Sequence, residues 1–374
     1  MSTPFTAPTW PGGAPFGATL SFDFDAEEVW IGENPENASR PGVLSQGAYG
    51  PRVGIPLILD LLERTGVKAT FYVPGKDALR HPEAVRAIIE AGHEVAHHGH
   101  SHTNPTLLSR EEEAAELHQG LHILRSLGAE VTGYRSPSWD FSAHTLDLLT
   151  EAGLAYSSNL LNDIRPYRHE SHPLVEVPVS WILDDAPHFW FANDTWDKTI
   201  RSPREVWDVW QPEIDGIAAL GGHVMTTFHP MISGRPSRLA FIERVITHLQ
   251  AAGAWIGTSA EVAALAAHGE LTGSLPAAAA PGFLPAEVLD AVRQASSAAA
   301  APTAGTLAVP AGQAEASGAA TPGGEPGAEG EPAPSNTGTP GAAAREGEQA
   351  PSGTEGVSEG AWSLDPIQRL LGRA

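Results

Sequence analysis

The chain alternates short strand-like segments with longer segments of helical periodicity, and this alternation constrains the fold more than any other feature. Glycine closes one helical segment after another, as at Gly66, Gly92 and Gly153, which is typical of helix C-termini. Strands that alternate with helices across short links form parallel sheets covered by helices. The sequence therefore predicts an α/β fold, either a barrel or a doubly wound sheet.

The predicted elements follow from the apolar periodicity of each segment. The strands are 18–27, 67–74, 94–97, 133–137, 155–159, 175–179, 223–229 and 254–258. The helices are 51–65, 82–91, 109–127, 142–152, 204–220, 236–251 and 259–268. The first helix carries Val53, Leu57 and Leu61 at helical spacing, and the third has Ser109 as N-cap with Glu112 at the capping-box position. Segment 28–50 has little periodicity and many turn formers, which predicts a long loop.

Composition divides the chain into four segments. Residues 1–17 form a Pro/Gly-rich N-terminal extension, and 18–269 form the folded domain. Segment 270–360 is rich in Ala, Gly and Pro with few large apolar side chains, so it is predicted to be disordered because it cannot bury enough surface to offset its ordering entropy. Residues 361–374 regain apolar character, which predicts a short C-terminal helix.

Charge and residue usage exclude several functional classes. The formal net charge is -23, which argues against nucleic acids and anionic membranes as partners. The chain has no cysteine, so disulfides and thiol catalysis are excluded. Residues 1–17 lack the basic start and apolar core of a secretory signal, and no apolar run is long enough for a membrane span. The expected location is the cytoplasm.

The densest concentration of reactive side chains lies between Gly92 and Pro105, where five of the sixteen histidines of the chain occur. His98 and His102 are four residues apart, so one helical turn would place both imidazoles on one face. Two imidazoles at this spacing can bind zinc, and without cysteine any further protein ligand is a carboxylate or a histidine. Three protein ligands and a water are typical of a catalytic zinc site. The alternative is a solvated histidine-rich turn.

Asp23 and Asp25 form a second polar pair at the end of the first predicted strand. Residues two apart in a strand point to the same side, and two neighbouring carboxylates are most stable where a cation or an arginine offsets their charge. The alternative is a solvated loop mouth. Arg135 and His229 also end predicted strands, although each has a structural alternative, an ion-pair partner and a packed core histidine respectively. Active sites of α/β barrels are built at the carboxyl ends of the strands.

An aromatic cluster in segment 181–196 admits three interpretations. Five aromatic residues fall within it: Trp181, Phe189, Trp190, Phe191 and Trp196. They could cap a substrate pocket, form an oligomer interface, or belong to the core.

These motifs resemble those of the polysaccharide deacetylases of the NodB-homology type, carbohydrate esterase family four, over residues 18–268. The matching motifs are Phe22-Asp23-Phe24-Asp25-Ala26-Glu27, the stretch from Gly92 to His102, Gly133-Tyr134-Arg135-Ser136-Pro137-Ser138-Trp139, and Phe228-His229-Pro230. The resemblance implies a distorted (β/α) barrel of about seven parallel strands. It also implies a hydrolase acting on carbon–nitrogen bonds other than peptide bonds.

The resemblance implies a role for each motif residue. Asp25, His98 and His102 would hold one divalent metal ion, expected to be Zn²⁺, which would polarise the amide carbonyl and activate a water. Asp23 would be the general base, with Arg135 pairing with it, and His229 the general acid. Trp139 would line the substrate pocket. From the residues themselves, Asp184 and Asp185 are expected to buttress Arg135 or to contact substrate.

The spaced Asp-x-Asp departs from the adjacent aspartates of the extracellular chitin and peptidoglycan deacetylases. It resembles a subgroup that includes allantoinase-like enzymes and peptidoglycan-deacetylase-like enzymes of a cytoplasmic type. Two alternatives therefore stand beside a sugar deacetylase: a cyclic amide or imide hydrolase, and a non-catalytic sugar- or metal-binding barrel. The expected partner is a small-molecule or sugar amide substrate. The subgroup also implies a homo-oligomer, such as a tetramer.

Overall fold

The fold is built on a mostly parallel sheet. The computed structural model describes residues 8–191, 200–269 and 271. Its nine strands are β1 (Gly17–Asp23), β2 (Thr70–Val73), β3 (Glu94–His97), β4 (Gly133–Tyr134), β5 (Tyr156–Ser157), β6 (Tyr167–Arg168), β7 (Val175–Glu176), β8 (His223–Phe228) and β9 (Trp255–Ile256). Their order is β6-β7-β5-β4-β3-β2-β1-β8, and β9 pairs with β1. Only the β6–β7 pairing is antiparallel among the described strands, which confirms the predicted α/β class.

The sheet resembles an opened barrel more than a closed one, because its path among the described strands ends at β6 and β8 without a pairing between them. The register places the carboxyl ends of neighbouring strands at one level: Asp23 of β1 lies opposite Tyr72 of β2, and His97 of β3 lies opposite Tyr134 of β4. All seven residues of β1 are buried, as expected for a central parallel strand covered on both faces.

Twelve α-helices connect the strands in the described residues. They are α1 (Glu28–Glu33), α2 (Pro41–Tyr49), α3 (Ile55–Thr65), α4 (Gly75–Arg80), α5 (Pro82–Glu90), α6 (Arg110–Ser126), α7 (Thr145–Glu151), α8 (Ala186–Phe189), α9 (Pro203–Ala219), α10 (Pro230–Ser233), α11 (Pro236–Ala251) and α12 (Ser259–Ala267). The predicted capping box at Ser109 and Glu112 is present at the start of α6. None of the helices described is both long and apolar enough to cross a membrane.

The prediction of a long loop over 28–50 is wrong. This segment contains α1, a 3₁₀ turn (Pro35–Ser39) and α2. These helices are too short to show a repeating apolar face, and α1 is anchored by buried Val29 and Trp30. Proline opens both the 3₁₀ turn and α2, where the missing N–H costs nothing, so a residue read as a turn former marks a helix start instead.

The predicted apolar face of the next helix is confirmed at Leu61, which is buried, and wrong at Val53. A π-helical turn spans Gly50–Gly54 ahead of α3, and its extra residue per turn rotates the following helix relative to a continuous α-helix. The buried residues of α3 include Ile55, Ile58 and Leu61, whereas Val53 is 39% exposed.

Trp10 belongs to the packed interior although it lies within the segment assigned to the N-terminal extension. It is buried, and its ring stacks on His223 and Trp255 at centroid distances of 5.7 and 5.9 Å. The predicted disordered segment 270–360 lies outside the described residues except for Leu271, and the predicted C-terminal helix in 361–374 lies wholly outside them.

Candidate metal centre and catalytic site

Side chains from distant parts of the chain meet at the carboxyl ends of the parallel strands. Asp23 is the last residue of β1, His98 follows β3, Arg135 follows β4 and His229 follows β8. These strands lie side by side or one strand apart in the sheet, so their ends gather at one edge, where open α/β sheets bind ligands.

Asp25, His98 and His102 form a compact group that could hold a metal ion. Their ligand atoms all lie within 4.8 Å of one another. His98 Nε2 is 3.2 Å from Asp25 Oδ1, and His102 Nε2 is 3.5 Å from Asp25 Oδ2. The fold therefore brings the three predicted ligands together, although Asp25 lies far from the two histidines in the sequence.

The orientation of His98 fits a cation. Its Nδ1 lies 2.8 Å from the Arg135 carbonyl oxygen, and because a carbonyl only accepts, Nδ1 carries the hydrogen. The neutral ring then directs the lone pair of Nε2 at Asp25 Oδ1, which is buried with no hydrogen-bond partner among the described residues. A lone pair facing a carboxylate is repulsive unless a cation lies between them or the ring takes a second proton. This anchoring of Nδ1 is the usual arrangement of a metal-binding histidine.

The electrostatics of the group point the same way. Burial alone would raise the pKa of Asp25, but positive charge on His102 and His98 outweighs it and holds that pKa well below its ordinary value. Burial alone would lower the pKa of His98, but the negative charges of Asp23 and Asp25 raise it above its ordinary value. Both shifts reflect the mutual attraction of the carboxylates and the imidazoles in this group, and a divalent ion would offset the carboxylate charge in the same way.

The loop that carries the two histidines is not helical, so the prediction of one helical turn is wrong. The residues between β3 and the next 3₁₀ turn have no regular structure, and His102 adopts a left-handed backbone with φ 55°. The Glu116 carboxylate holds this loop by accepting hydrogen bonds from His100 N, Ser101 N and Ser101 Oγ at 3.0, 2.7 and 2.8 Å.

Backbone strain is concentrated around the site. The non-glycine residues with positive φ among those described are Asp25, Ala26, His102, Ser138 and Trp139. All five lie in or beside the motifs singled out from sequence. Left-handed conformations cost free energy for residues other than glycine and persist where the surrounding structure enforces them, often at functional sites.

The neighbouring histidines of the loop do not join the group. His97 is fully buried, stacks on Tyr134 at 5.4 Å and accepts a hydrogen bond from Gly99 N through Nδ1. His100 is partly buried, and burial lowers its pKa. His97 therefore shapes the turn from within rather than lying at the surface.

Arg135 and Asp23 form a buried ion pair, as predicted. Arg135 Nη1 lies 2.7 Å from Asp23 Oδ1 and also donates to Ser21 Oγ and Thr227 Oγ1 at 2.8 and 3.3 Å. The other guanidinium nitrogens donate to Ser158 O and Ser158 Oγ, and the guanidinium carbon lies 3.9 Å from the Tyr72 ring centroid. Since Asp23 Oδ2 has no donor among the described residues, it is the oxygen left to accept a proton.

His229 forms a second buried pair, with Asp185. Its Nδ1 lies 2.6 Å from Asp185 Oδ1, and its Nε2 lies 3.5 Å from Asp25 Oδ2. Burial alone would lower the pKa of His229, but the charge and hydrogen bond of Asp185 and the charges of Asp184 and Asp25 raise it well above its ordinary value. The imidazole is therefore cationic near neutral pH, with its free edge toward the candidate ion site.

Asp185 contacts His229 rather than Arg135, so the expectation that it buttresses Arg135 is wrong, whereas a contact with substrate stays a prediction. Asp185 is fully buried, and its Oδ2 accepts hydrogen bonds from His229 N, at 2.9 Å, and from Ser233 Oγ. Its contacts thus orient His229. Asp184 Oδ1 accepts from Ala186 N and lies 3.9 Å from His229 Nδ1, and burial raises the pKa of Asp184 to about 7.

Two tryptophans from the aromatic segment lie at the site. Trp139 is buried and stacks on Trp181 at 4.2 Å, and Trp181 is 46% exposed. The Trp190 ring meets the His229 ring edge-on at 6.3 Å. Phe189 is core, so the segment divides between core and site, and Trp196 lies outside the described residues.

Several contributors escaped the sequence analysis. Ser21 shares the face of β1 with Asp23 and could have been found from strand alternation. Tyr72, Ser158 and Glu116 carry no motif, and only the tertiary fold brings them to Arg135 or to the histidine loop.

Comparison with known proteins places the chain among deacetylases. Residues 48–157 match the polysaccharide deacetylase domain family. The chain is 30% identical over 257 residues to a peptidoglycan deacetylase of Helicobacter pylori, covering 61% of this chain and 87% of that protein. It is 27% identical over 222 residues to a peptidoglycan deacetylase-like protein of Gibberella zeae, covering 51% and 66%.

Solved structures show the same fold. A candidate polysaccharide deacetylase from Mycobacterium smegmatis superposes with a TM-score of 0.68 at 36% identity, covering 72% of this chain and 97% of that chain. An allantoinase superposes with a TM-score of 0.62 at 21% identity, covering 70% and 93%. At that identity the second likeness concerns the fold alone.

Proposed function

The chain belongs to the polysaccharide deacetylase family, hydrolases of carbon–nitrogen bonds other than peptide bonds, and from this premise we propose that its buried Asp/His site removes the acetyl group from an N-acetylated sugar with the help of one divalent ion. The observation that carries the proposal is that the three candidate metal ligands lie beside two buried ion pairs. These pairs are Arg135 with Asp23 and His229 with Asp185. Binding alone requires neither a base held by an arginine nor a cationic imidazole.

Asp25, His98 and His102 would hold the ion, which we propose to be Zn²⁺ because the donor set of two imidazoles and one carboxylate is typical of catalytic zinc sites. A bound zinc ion polarises a carbonyl and lowers the pKa of a coordinated water. The remaining chemistry belongs to the protein side chains.

Asp23 would act as the general base. Arg135 fixes Oδ1 through a charge-assisted hydrogen bond of 2.7 Å and so holds the carboxylate in one orientation. Oδ2 is then free to take a proton from the attacking water. Burial of the pair excludes bulk water from competing for that proton.

His229 would act as the general acid. Asp185 binds Nδ1 and keeps the imidazole protonated, so the Nε2 proton points into the site, where it can be given to the departing amine. Trp139, stacked on exposed Trp181, would form an apolar wall for the sugar ring.

The test compares matched variants of the purified protein in two assays. Metal content is measured by elemental analysis, and acetate release is followed on N-acetylglucosamine oligomers and peptidoglycan, with cyclic imides and allantoin alongside. His102→Ala should lose both metal and activity, whereas Asp23→Asn should keep the metal and lose turnover by about 10²–10⁴-fold. His118→Ala, an exposed histidine of α6, is the control and should match the unaltered chain.

Each rival has its own signature in this assay. Turnover of cyclic imides alone would support the cyclic amide hydrolase alternative. A stoichiometric metal with no turnover on the whole panel would support a binding protein and contradict our proposal. A homo-oligomer and a cytoplasmic location stay predictions, to be checked by light scattering and by fractionation of the source cells.

A further inference from the structure

A cavity of about 220 Å³ lies against the candidate catalytic site. Trp190 lines it and also meets the His229 ring edge-on at 6.3 Å. Met231 and Ile232, in the turn that follows His229, line it as well. The cavity and the site therefore share a wall, although none of the residues given a catalytic or metal-binding role lines the cavity.

Two arginines form the polar side of this cavity. Neither Arg235 nor Arg238 lies within 4.0 Å of a carboxylate oxygen among the described residues. Arg238 is held by the carbonyl oxygens of Ile232 and Phe189 at 2.8 and 3.2 Å. Arg235 donates through Nε to the Met231 carbonyl at 3.3 Å, with its guanidinium carbon 3.5 Å from the Tyr49 ring centroid.

These positions are unusual in so acidic a chain, which has 45 acidic against 22 basic residues. Burial lowers the pKa of Arg238, the Asp185 charge raises it, and the neighbouring Arg235 lowers it again. The charge of Arg235 thus opposes that of Arg238 across the cavity lining. An anion would relieve that repulsion, and guanidinium forks match carboxylates well.

Gln46 and Ser237 add two neutral polar groups to the lining, and the other residues that line the cavity are apolar. Trp30 and Trp190 lie with ring centroids 5.0 Å apart, and Phe189 completes the aromatic side. The indole Nε1–H of Trp30 is buried without an acceptor among the described residues, which is costly unless a ligand accepts the bond. Apolar walls with a few converging donors are typical of small-ligand sites.

We propose that this cavity binds an organic carboxylate with a flat apolar body, which Arg235 and Arg238 hold by its charge. Its place beside His229 makes the carboxylate an acidic arm of the substrate, a step that rests on the proposed function. The same chemistry could come from a separate small acid, and the two sources differ in their effect on catalysis.

The first experiment measures binding and does not depend on turnover. Benzoate and its neutral analogue benzamide are titrated calorimetrically into the full chain with its metal. Benzoate should bind at least tenfold more tightly, and Arg235→Gln and Arg238→Gln should each weaken benzoate at least tenfold while leaving benzamide unchanged. Arg86→Gln, an exposed arginine outside the cavity with the same charge change, is the control.

Arg235→Lys guards against misfolding, because it keeps the charge and should retain more benzoate affinity than Arg235→Gln. Equal binding of benzoate and benzamide, or benzoate binding unaffected by either glutamine variant, would overturn the proposal. Absence of turnover on every amide would refute the proposed function and leave this binding result standing.

The second experiment separates the two sources of the carboxylate. Benzoate is added during hydrolysis of an N-acetylated substrate that itself carries a carboxylate. An increase in KM at constant kcat, lost in Arg235→Gln, supports the substrate arm, because benzoate then occupies space that the substrate needs. A change in kcat at constant KM identifies a separate acid and contradicts the substrate assignment.

Discussion

The buried pair of Arg135 and Asp23 gives the sharpest quantitative prediction. Arg135 is fully buried and donates hydrogen bonds to Asp23, Ser21, Thr227 and Ser158. Arg135→Met keeps an apolar side chain of similar length but leaves the buried Asp23 carboxylate without its counter-charge. Removing one partner of a buried ion pair costs about 3–5 kcal/mol of unfolding free energy.

Asp23→Asn removes the charge but keeps an oxygen that can accept from Arg135 Nη1. The buried Arg135 guanidinium then loses its counter-charge but keeps a hydrogen bond, so we expect a loss near the lower end of that range, about 3 kcal/mol. In the double variant, Arg135→Met with Asp23→Asn, neither buried charge remains. Its loss should fall short of the sum of the single losses by about 1–3 kcal/mol, the coupling typical of contacting residues.

The assay is urea unfolding followed by tryptophan fluorescence, in chelator so that metal binding does not contribute. The exposed pair Arg64 and Asp60, 2.9 Å apart with both side chains 40% exposed, is the control cycle. Its coupling should stay within about 0.5 kcal/mol because solvent screens it. Additive losses at Arg135 and Asp23, within about 0.5 kcal/mol, would refute the reasoning.

Three further predictions concern groups around the site and in the core. Asp185→Asn removes the charge that raises the pKa of His229, so the alkaline limb of the kcat profile should move to lower pH, and an unmoved limb would contradict the assigned acid. Glu116→Ala frees the histidine loop and should weaken zinc binding about 10–100-fold in a chelator competition, while Glu111→Ala, exposed on the same helix, should not. Burial lowers the pKa of His223 to about 3, so its contribution to stability is complete above the unfolded pKa and is lost as the pH falls below it. Between pH 7 and pH 5 this group should lower the unfolding free energy of the unaltered chain by about 2 kcal/mol. In urea unfolding at the two pH values, His223→Gln should show a drop in unfolding free energy that is about 2 kcal/mol smaller than that of the unaltered chain.

Sequence was sufficient for the features that depend on local pattern. The alternation of strands and helices gave the fold class, and the ends of predicted strands located Asp23, His98 and His229 at one edge of the sheet. The capping box at Ser109 followed from a local rule, because both of its hydrogen bonds join residues three apart.

Sequence was insufficient where a side chain is positioned by distant residues. The left-handed backbone of His102 depends on contacts of the loop with Glu116 of α6, so helical spacing suggested the right ligands for the wrong geometric reason. The partner of His229 was missed for a similar cause. Asp185 reaches it because Asp184 bridges to Thr227 of β8, and the segment around Asp184 has no recognisable strand pattern.

The charges of the site explain why its parts belong together. Four buried carboxylates gather here, namely Asp23, Asp25, Asp184 and Asp185. Arg135 and cationic His229 offset two of them, while His98 and His102 are neutral as ligands. The deficit is then two positive charges, and the protein reduces it on its own by raising the pKa of Asp184 to about 7. A divalent ion between Asp25 and the two histidines would supply positive charge here, so the proposed pairing of base and acid also favours a dication at this site.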